Sequence, residues 1–377
     1  MSIFDNEGKL LIALSRQLLD RTSEDTARML LADGTASIDW PHFLDQAIQH
    51  RVAPLVSSSL DRLAAEDRPL RVDRGMGSTL RAFYLFHLER NRAAMAELYE
   101  ILDAAEVASL DIVLRKGAHL AQEVYMNSGL RPIGDLDLLV PGEQASTLVA
   151  LLEDRGYQQG VLEGREVRRL SRREALFWRL YGSDVPKLNK LTDNPYLPVI
   201  DIDVNISLVL PGKSGEVPVS DLMERSVVRE VGGRPQRFLS PVDCALDLCL
   251  HIYKNSTALR FMNLRKHRRL LKYVDVVEYL RTRGGKFPWG NFVERAREYC
   301  IVLPVFYALA HVELLFPGEI PPEVLTEFGR SCADVDTFLN QYGQWDGPEP
   351  LIWTRPFGQR FFSRQADEAI PHSKSLV

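Results

Sequence analysis

The chain has 377 residues, 45% of them hydrophobic and 26% charged, with 46 basic and 51 acidic side chains giving a formal net charge of −5. That balance excludes an intrinsically disordered chain, and the global charge gives no reason to expect a non-specific nucleic-acid or membrane binder. The length suits two compact units, or one with a large accessory part.

The four cysteines (Cys244, Cys249, Cys300, Cys332) have no CxxC spacing and no paired histidines nearby, which argues against a zinc site. The opening MSIFDNEGKLLIALSRQLLD lacks a signal-peptide pattern, and no uncharged run approaches the roughly 20 apolar residues that span a bilayer. These features predict a soluble, reduced, cytoplasmic protein.

In chain order, the first hundred residues read as helices. Leu10, Leu11, Leu14, Leu18 and Leu19 recur at helical spacing, a second helix opens at Ser23, and a third runs from Ser37-Ile38-Asp39-Trp40-Pro41 to about Arg51. A long amphipathic helix is predicted from Ser78 to about Ala105. The period then changes, with strands at Leu110–Leu114, Asp135–Val140 and Val199–Leu208 and helices at Gly117–Asn127 and Glu143–Arg155. Gly232-Gly233 between two β-rich runs signals a hairpin. Ser240 as N-cap and Pro241 at the first helical position start another helix. Further helices are expected over 264–282, 289–300, 303–315 and 321–341. The expected organisation is an N-terminal helical region (1–107), an α/β core (108–239), a C-terminal helical domain (240–364) and a flexible tail (365–377). The fold class is α+β.

Chemistry concentrates in Leu114-Arg115-Lys116-Gly117-Ala118 and Arg131-Pro132-Ile133-Gly134-Asp135-Leu136-Asp137-Leu138-Leu139-Val140. On a strand, residues i and i+2 share a face, so Asp135 and Asp137 present paired carboxylates while Leu136 and Leu138 pack behind. Carboxylates held that close repel unless a cation lies between them, and hard oxygen ligands suit Mg²⁺ with substrate phosphates. An Asp-x-Asp is also what a merely solvated strand face looks like. Two further features favour chemistry. Gly117 follows a strand at a helix start, where backbone N–H groups meet phosphate, and Asp201 and Asp203 share a face of a second acidic strand.

An apolar strand ending in Lys-Gly, a helix, then Arg-Pro-x-Gly-Asp-x-Asp-Leu-Leu-Val resembles the uncharacterised bacterial branch of the polymerase-β-like nucleotidyltransferases. Ile38-Asp39-Trp40, His50-Arg51-Val52-Ala53-Pro54-Leu55 and Leu239-Ser240-Pro241-x-Asp243 leading to Leu248-x-Leu250-His251 extend the likeness over about 38–282. The resemblance implies a small mixed-sheet nucleotidyltransferase core whose Asp135, Asp137 and Asp201 hold two Mg²⁺ ions and act on an NTP such as ATP. Asp201 would also be the acceptor's base, and Gly117 would let the backbone approach the triphosphate. The chain departs from the pattern in having Gly117-Ala118 where Gly-Ser or Gly-Gly is usual, and Asp203 where relatives often carry histidine.

Lys116 and Arg131 flank this site as phosphate partners, or else Arg131 pairs with Asp135 or Asp137 and holds the loop. His251 and Lys254 share a helix face that the resemblance places over the nucleotide's phosphates. Two arginine-rich stretches, Glu163–Arg179 (with Arg165, Arg168, Arg169, Arg172, Arg173 and Arg179) and Arg260–Lys272, could line a groove for tRNA. They read rather as solvated helix faces, the first balanced by Glu163, Glu166 and Glu174. Asp275 lies on the helix of the second stretch with an open role. The function expected is transfer of an NMP from an NTP to a hydroxyl of a small molecule or peptide, with pyrophosphate release. The alternatives are a toxin-like transferase acting on tRNA or protein, and a catalytically silent scaffold.

Overall fold

The structure is a computed structural model and describes residues 4–32, 37–65, 70–164, 166–181, 185–209, 215–343, 349–363 and 370–371. Five helices come first: α1 (Asn6–Leu14), α2 (Arg21–Leu31), α3 (Trp40–Gln49), α4 (Ala53–Ala64) and α5 (Arg74–Val107). Asp5, Asp20, Asp39 and Asp73 cap α1, α2, α3 and α5 by accepting from backbone N–H groups three residues on. Helix α4 was not foreseen; Pro54 sits in its first turn, where a missing N–H costs nothing.

The central region carries β1 (Val113–Leu114), α6 (Lys116–Glu123), β2 (Leu136–Leu139), α7 (Ala145–Asp154), β3 (Gln158–Glu163), β4 (Glu166–Arg169), α8 (Arg172–Tyr181), β5 (Leu188–Leu191), β6 (Val199–Asn205), α9 (Val219–Glu224), β7 (Val227–Val231) and β8 (Arg234–Phe238). The strands form one mixed sheet of eight, in the order β4-β3-β5-β6-β2-β1-β8-β7. Strands β2 and β6 run parallel, as do β1 and β8, and the β7–β8 hairpin turns at Gly232-Gly233 as expected. The expected small sheet is therefore corrected to a large one. Its extra strands, β3, β4 and β5, include arginine-rich and polar segments whose alternation carries no hydrophobic signal. The stretch 163–179 accordingly starts as a hairpin and becomes helix only at Arg172. Arg165 lies outside the described residues, as does the side chain of Arg179.

The C-terminal part comprises α10 (Pro241–Thr257), α11 (Leu259–Asn263), α12 (Leu271–Arg281), α13 (Trp289–Glu298), α14 (Val302–Leu315), α15 (Pro322–Gly329), α16 (Val335–Leu339), a two-stranded ribbon of β9 (Gln341–Tyr342) and β10 (Leu351–Ile352), and α17 (Phe357–Arg360). The helix expected over 264–282 begins only at Leu271, because the chain turns through Arg265 at φ +52°. The tail expected over 365–377 falls outside the described residues except for Ile370 and Pro371. Pro371 accepts a hydrogen bond from Asn263, and Ile370 packs beside Met262 and Trp353.

Two cores sandwich the sheet. Leu136 and Leu138 join α5 and α7 on one side, while Val113 and Leu139 join the helical core built from α1–α4 and α10–α17. Burying those apolar stripes is what fixes which face of β2 its aspartates take. The sheet is tied to α10 by Arg115. This fully buried guanidinium forks onto Asp247, with Nε 3.0 Å from Oδ2, and also reaches Asn205. Asp247→Ala leaves that charge buried and alone, and should lower stability by about 3–5 kcal/mol in urea unfolding. The double change Arg115→Met with Asp247→Leu should recover most of the loss.

Candidate active site

The parallel register sets Asp137 of β2 directly beside Asp203 of β6. Asp135 lies two residues before Asp137, on the same face. Because β5 pairs antiparallel with β6, with Leu188 opposite Ile202, Lys187 falls alongside Asp203. Its Nζ stands 3.3 Å from carboxylate oxygens of both Asp135 and Asp203. Lys116 begins α6 in the left-handed region at φ +42°, an unfavourable conformation for lysine, and places its Nζ 2.5 Å from Asp137 Oδ1. Burial alone would push the Asp135 carboxyl up, but Lys187, Lys266, Lys116 and Arg51 together hold it far below the usual carboxylate range. Burial likewise opposes the charge on Lys187, yet Asp135, Asp203 and Asp201 raise its pKa. Each carboxylate of the cluster is thus held by an ammonium group of its own chain.

The loop carrying the first aspartate is braced from α5. Buried Asn91 donates to the Arg131 carbonyl at 2.7 Å and accepts from the Ile133 N–H at 3.1 Å. Arg131 does not pair with Asp135 or Asp137. It forks onto Asp275 of α12 at 2.9 and 2.8 Å, and Asp275 also accepts from Tyr125 Oη at 2.9 Å, which settles the role of Asp275. Gly117 is needed for the same clamp, since a Cβ there would lie 3.0 Å from Arg131 Nη1. The Arg131 guanidinium therefore lies over Gly117, and both line the cavity in front of the aspartates.

Facing the aspartates is a cavity of about 110 Å³. Its floor is Asp135, Asp137 and Asp203. Its roof is His251, Lys254 and Asn255 of α10 with Lys266, Arg269 and Lys272 at the turn into α12, and Arg51 closes one side. Such a volume holds phosphate-sized groups; whole-nucleotide pockets are about 300–1,000 Å³. Burial drives His251 neutral, helped by Lys116 and Lys272, and its Nδ1 lies 3.3 Å from the Asn255 amide. With Nδ1 accepting, the ring proton sits on Nε2. Lys254 and Lys266 both stack over the Phe261 ring, at 5.6 and 5.4 Å.

Asp201 does not join Asp135 and Asp137 in this cavity. It shares the face of Asp203 but lines a neighbouring cavity with Arg51 and Arg90, and it is Asp203 that lines the cavity with Asp135 and Asp137. Lys187 and Arg51 were not foreseen, and Lys266, Arg269 and Lys272 were expected only as possible liners of a tRNA groove. The second arginine-rich stretch is no solvated helix face, because its turn delivers Lys266, Arg269 and Lys272 to the cavity while Arg268 is buried against the carbonyls of Phe361 and Ser363. In the first stretch, Arg168 is taken up by Glu163 and Glu174. Arg51 reaches the site because His50 is anchored on the start of α12. His50 Nδ1 accepts from the Leu270 N–H at 3.0 Å, and its carbonyl accepts from Leu271.

Three hard-oxygen carboxylates at the foot of a basic cavity are the right donor chemistry for Mg²⁺. With the lysines in place, no group of three or more His, Cys, Asp or Glu side chains among the described residues is set to hold a metal. Lys187 and Lys116 occupy the positions facing the carboxylates, so a cation would have to displace these ammonium groups to bind there.

Residues 36–317 match the model of the uncharacterised nucleotidyltransferase family. The chain belongs to that family. It matches no curated protein and no solved structure. Among the described residues no helix is long and apolar enough to cross a membrane.

Lys266 supplies a pH signature. Burial lowers its amine to about 8, outweighing the pull of Asp135, from the 10.5 of a solvated lysine. Between those values the unfolded chain holds more protons, so the folded protein gains stability as pH rises. A bound anion favours the protonated amine. Sulfate, which does not titrate in this range, should therefore bind with constant affinity below pH 8, bind more weakly above it, and take up protons in titration calorimetry. Lys266→Met should weaken that dependence, the remainder coming from Lys272, whose amine burial also pushes well below the usual lysine range, and a wild-type affinity flat up to pH 10 would contradict it.

Proposed function

We propose that this protein is a Mg²⁺-dependent nucleotidyltransferase that moves an NMP from an NTP to a hydroxyl of a small molecule or peptide. One observation carries the reading: Asp135, Asp137 and Asp203 converge from two parallel strands on the floor of a cavity whose other walls are cationic. Asp135, Asp137 and Asp203 would hold the Mg²⁺. When bound, the metal supplies charge neutralisation at the phosphates and activation of the attacking oxygen.

The chain's own residues do the rest. Lys254, Lys266, Arg269 and Lys272 bind the β- and γ-phosphates and favour departure of pyrophosphate, since cations buried in a small cavity act in a low dielectric. Neutral His251 donates from Nε2. The acceptor oxygen bonds to the α-phosphorus as the bond to the leaving pyrophosphate breaks. The acceptor's proton passes to an Asp201 carboxylate oxygen, whose pKa is raised by burial and by Asp135, against the pull of Lys187. That shift suits a base. Lys116 and Lys187, freed from the carboxylates, become further phosphate partners. The tRNA-directed alternative loses support from the first arginine stretch, where Arg168 is taken up by neighbouring glutamates.

Titration calorimetry with each NTP and Mg²⁺ tests the reading. At least one NTP should bind, and Asp137→Asn should weaken it by at least about tenfold. Absence of binding by every NTP would overturn it.

A further inference from the structure

We infer that the cavity on the far side of the Gly134 bend is the acceptor's pocket, and that it takes a small hydroxylated ring compound carrying one carboxylate or phosphate group. The inference rests on the nucleotidyl-transfer reading of the adjoining site and specifies the substrate class that reading leaves open.

The cavity measures about 390 Å³, inside the range of about 300–1,000 Å³ for small-molecule sites. Helix α5 supplies Phe83, Phe86, His87 and Arg90, while the 132–134 bend and Asp201 form the opposite wall. The two cavities share Arg51 and Gly134, so a ligand here lies against the partition from the phosphate site. Gly134 makes that partition thin, because a Cβ on it would stand 2.8 Å from Arg51 Nη1.

The chemistry of the wall names the ligand. Phe86 is 40% exposed, and its ring lies 6.0 Å from that of Tyr196, which leaves aromatic surface open to a ring. All three hydrogen bonds of Arg90 go to neutral carbonyls, those of Ile133, Tyr196 and Gly134. Its guanidinium is thus fixed in place by the bend, and the Asp201 and Asp135 carboxylates offset its charge only in part, since burial still lowers its pKa. Arg51 adds a second guanidinium whose burial outweighs the pull of Asp135. Two positioned cations beside apolar rings match an anionic ring compound. Among the described residues His87 Nδ1 has no hydrogen-bond partner, and it is buried. Burial, with Arg51 and Arg90 adding to it, lowers this imidazole to about 4, so it is a neutral group able to meet a hydroxyl. Among the described residues Asp201 is the only carboxylate in the wall. A hydroxyl brought between His87 and Asp201 stands next to the strand that carries Asp203.

Ligand-observed NMR on the full chain at pH 7.5 tests this, with 4-hydroxybenzoate and phenyl phosphate as probes, phenol and glycerol 3-phosphate as controls, and pyrophosphate titrated in the same preparation. Both ring anions should bind, and phenol and glycerol 3-phosphate each at least about tenfold more weakly. Arg90→Met and Phe86→Ala should each weaken the ring anions by about tenfold or more. Arg90→Lys guards against a folding defect and should fall between Arg90→Met and wild type, with an unchanged thermal midpoint. If pyrophosphate binds but neither ring anion does, or if the ring anions bind Phe86→Ala and Arg90→Met as they bind wild type, the inference is overturned while the transferase reading stands. If pyrophosphate does not bind either, both fall together.

Discussion

Four aspartates on one face of two adjacent parallel strands can exist in a folded interior only if positive charge comes to them. Asp137, at 4% exposure, and the neighbouring Asp135 and Asp203 would repel one another strongly at the low dielectric of such a site. The chain answers with Lys116 and Lys187, one lysine contributed just after β1 and the other just before β5. Much of the fold serves that meeting. The parallel pairing of β2 with β6 aligns the carboxylates, the antiparallel pairing of β5 with β6 delivers Lys187, and Arg115 locks the sheet to the helix that forms the cavity roof.

The same arrangement explains why the roof carries so many cations. Lys116 and Lys187 are already committed to the floor, so an incoming polyphosphate needs other partners, and Lys254, Lys266, Arg269 and Lys272 line the roof at a desolvation cost seen in the lowered amine of Lys266. A site whose anions are satisfied internally and whose cations are under-compensated is poised to exchange partners. A metal ion would take the carboxylates and the nucleotide's phosphates would take the lysines. This exchange links the electrostatics of the resting fold to its proposed chemistry.

The parts of this legible in the sequence are those set by local pattern. The period-2 alternation of 135–140 and 199–205 found both acidic strands and the face they present, and Ser240-Pro241 and Gly232-Gly233 found the start of α10 and the β7–β8 hairpin. Alternation gives a face but not a position along it, so it could not say that Asp203 rather than Asp201 stands beside Asp137; the register with a neighbouring strand decides that. Strands β3 to β5 were hidden by polar and arginine-rich composition. Lys266 and Arg269 were hidden because a continuous helix read through Arg265, whose left-handed backbone breaks it. Arg51 owes its place to a bond between His50 and Leu270, which no local signal could report.

The claim at the centre is that the β2–β6 carboxylates form a cation site kept closed by lysine. Titration of Mn²⁺ followed by electron paramagnetic resonance tests it most directly. The account predicts bound Mn²⁺ in the wild type, loss of that binding in Asp137→Asn, and tighter binding in Lys187→Met, where the competing ammonium is gone. Failure of both the wild type and Lys187→Met to bind Mn²⁺, with or without an NTP, would contradict it.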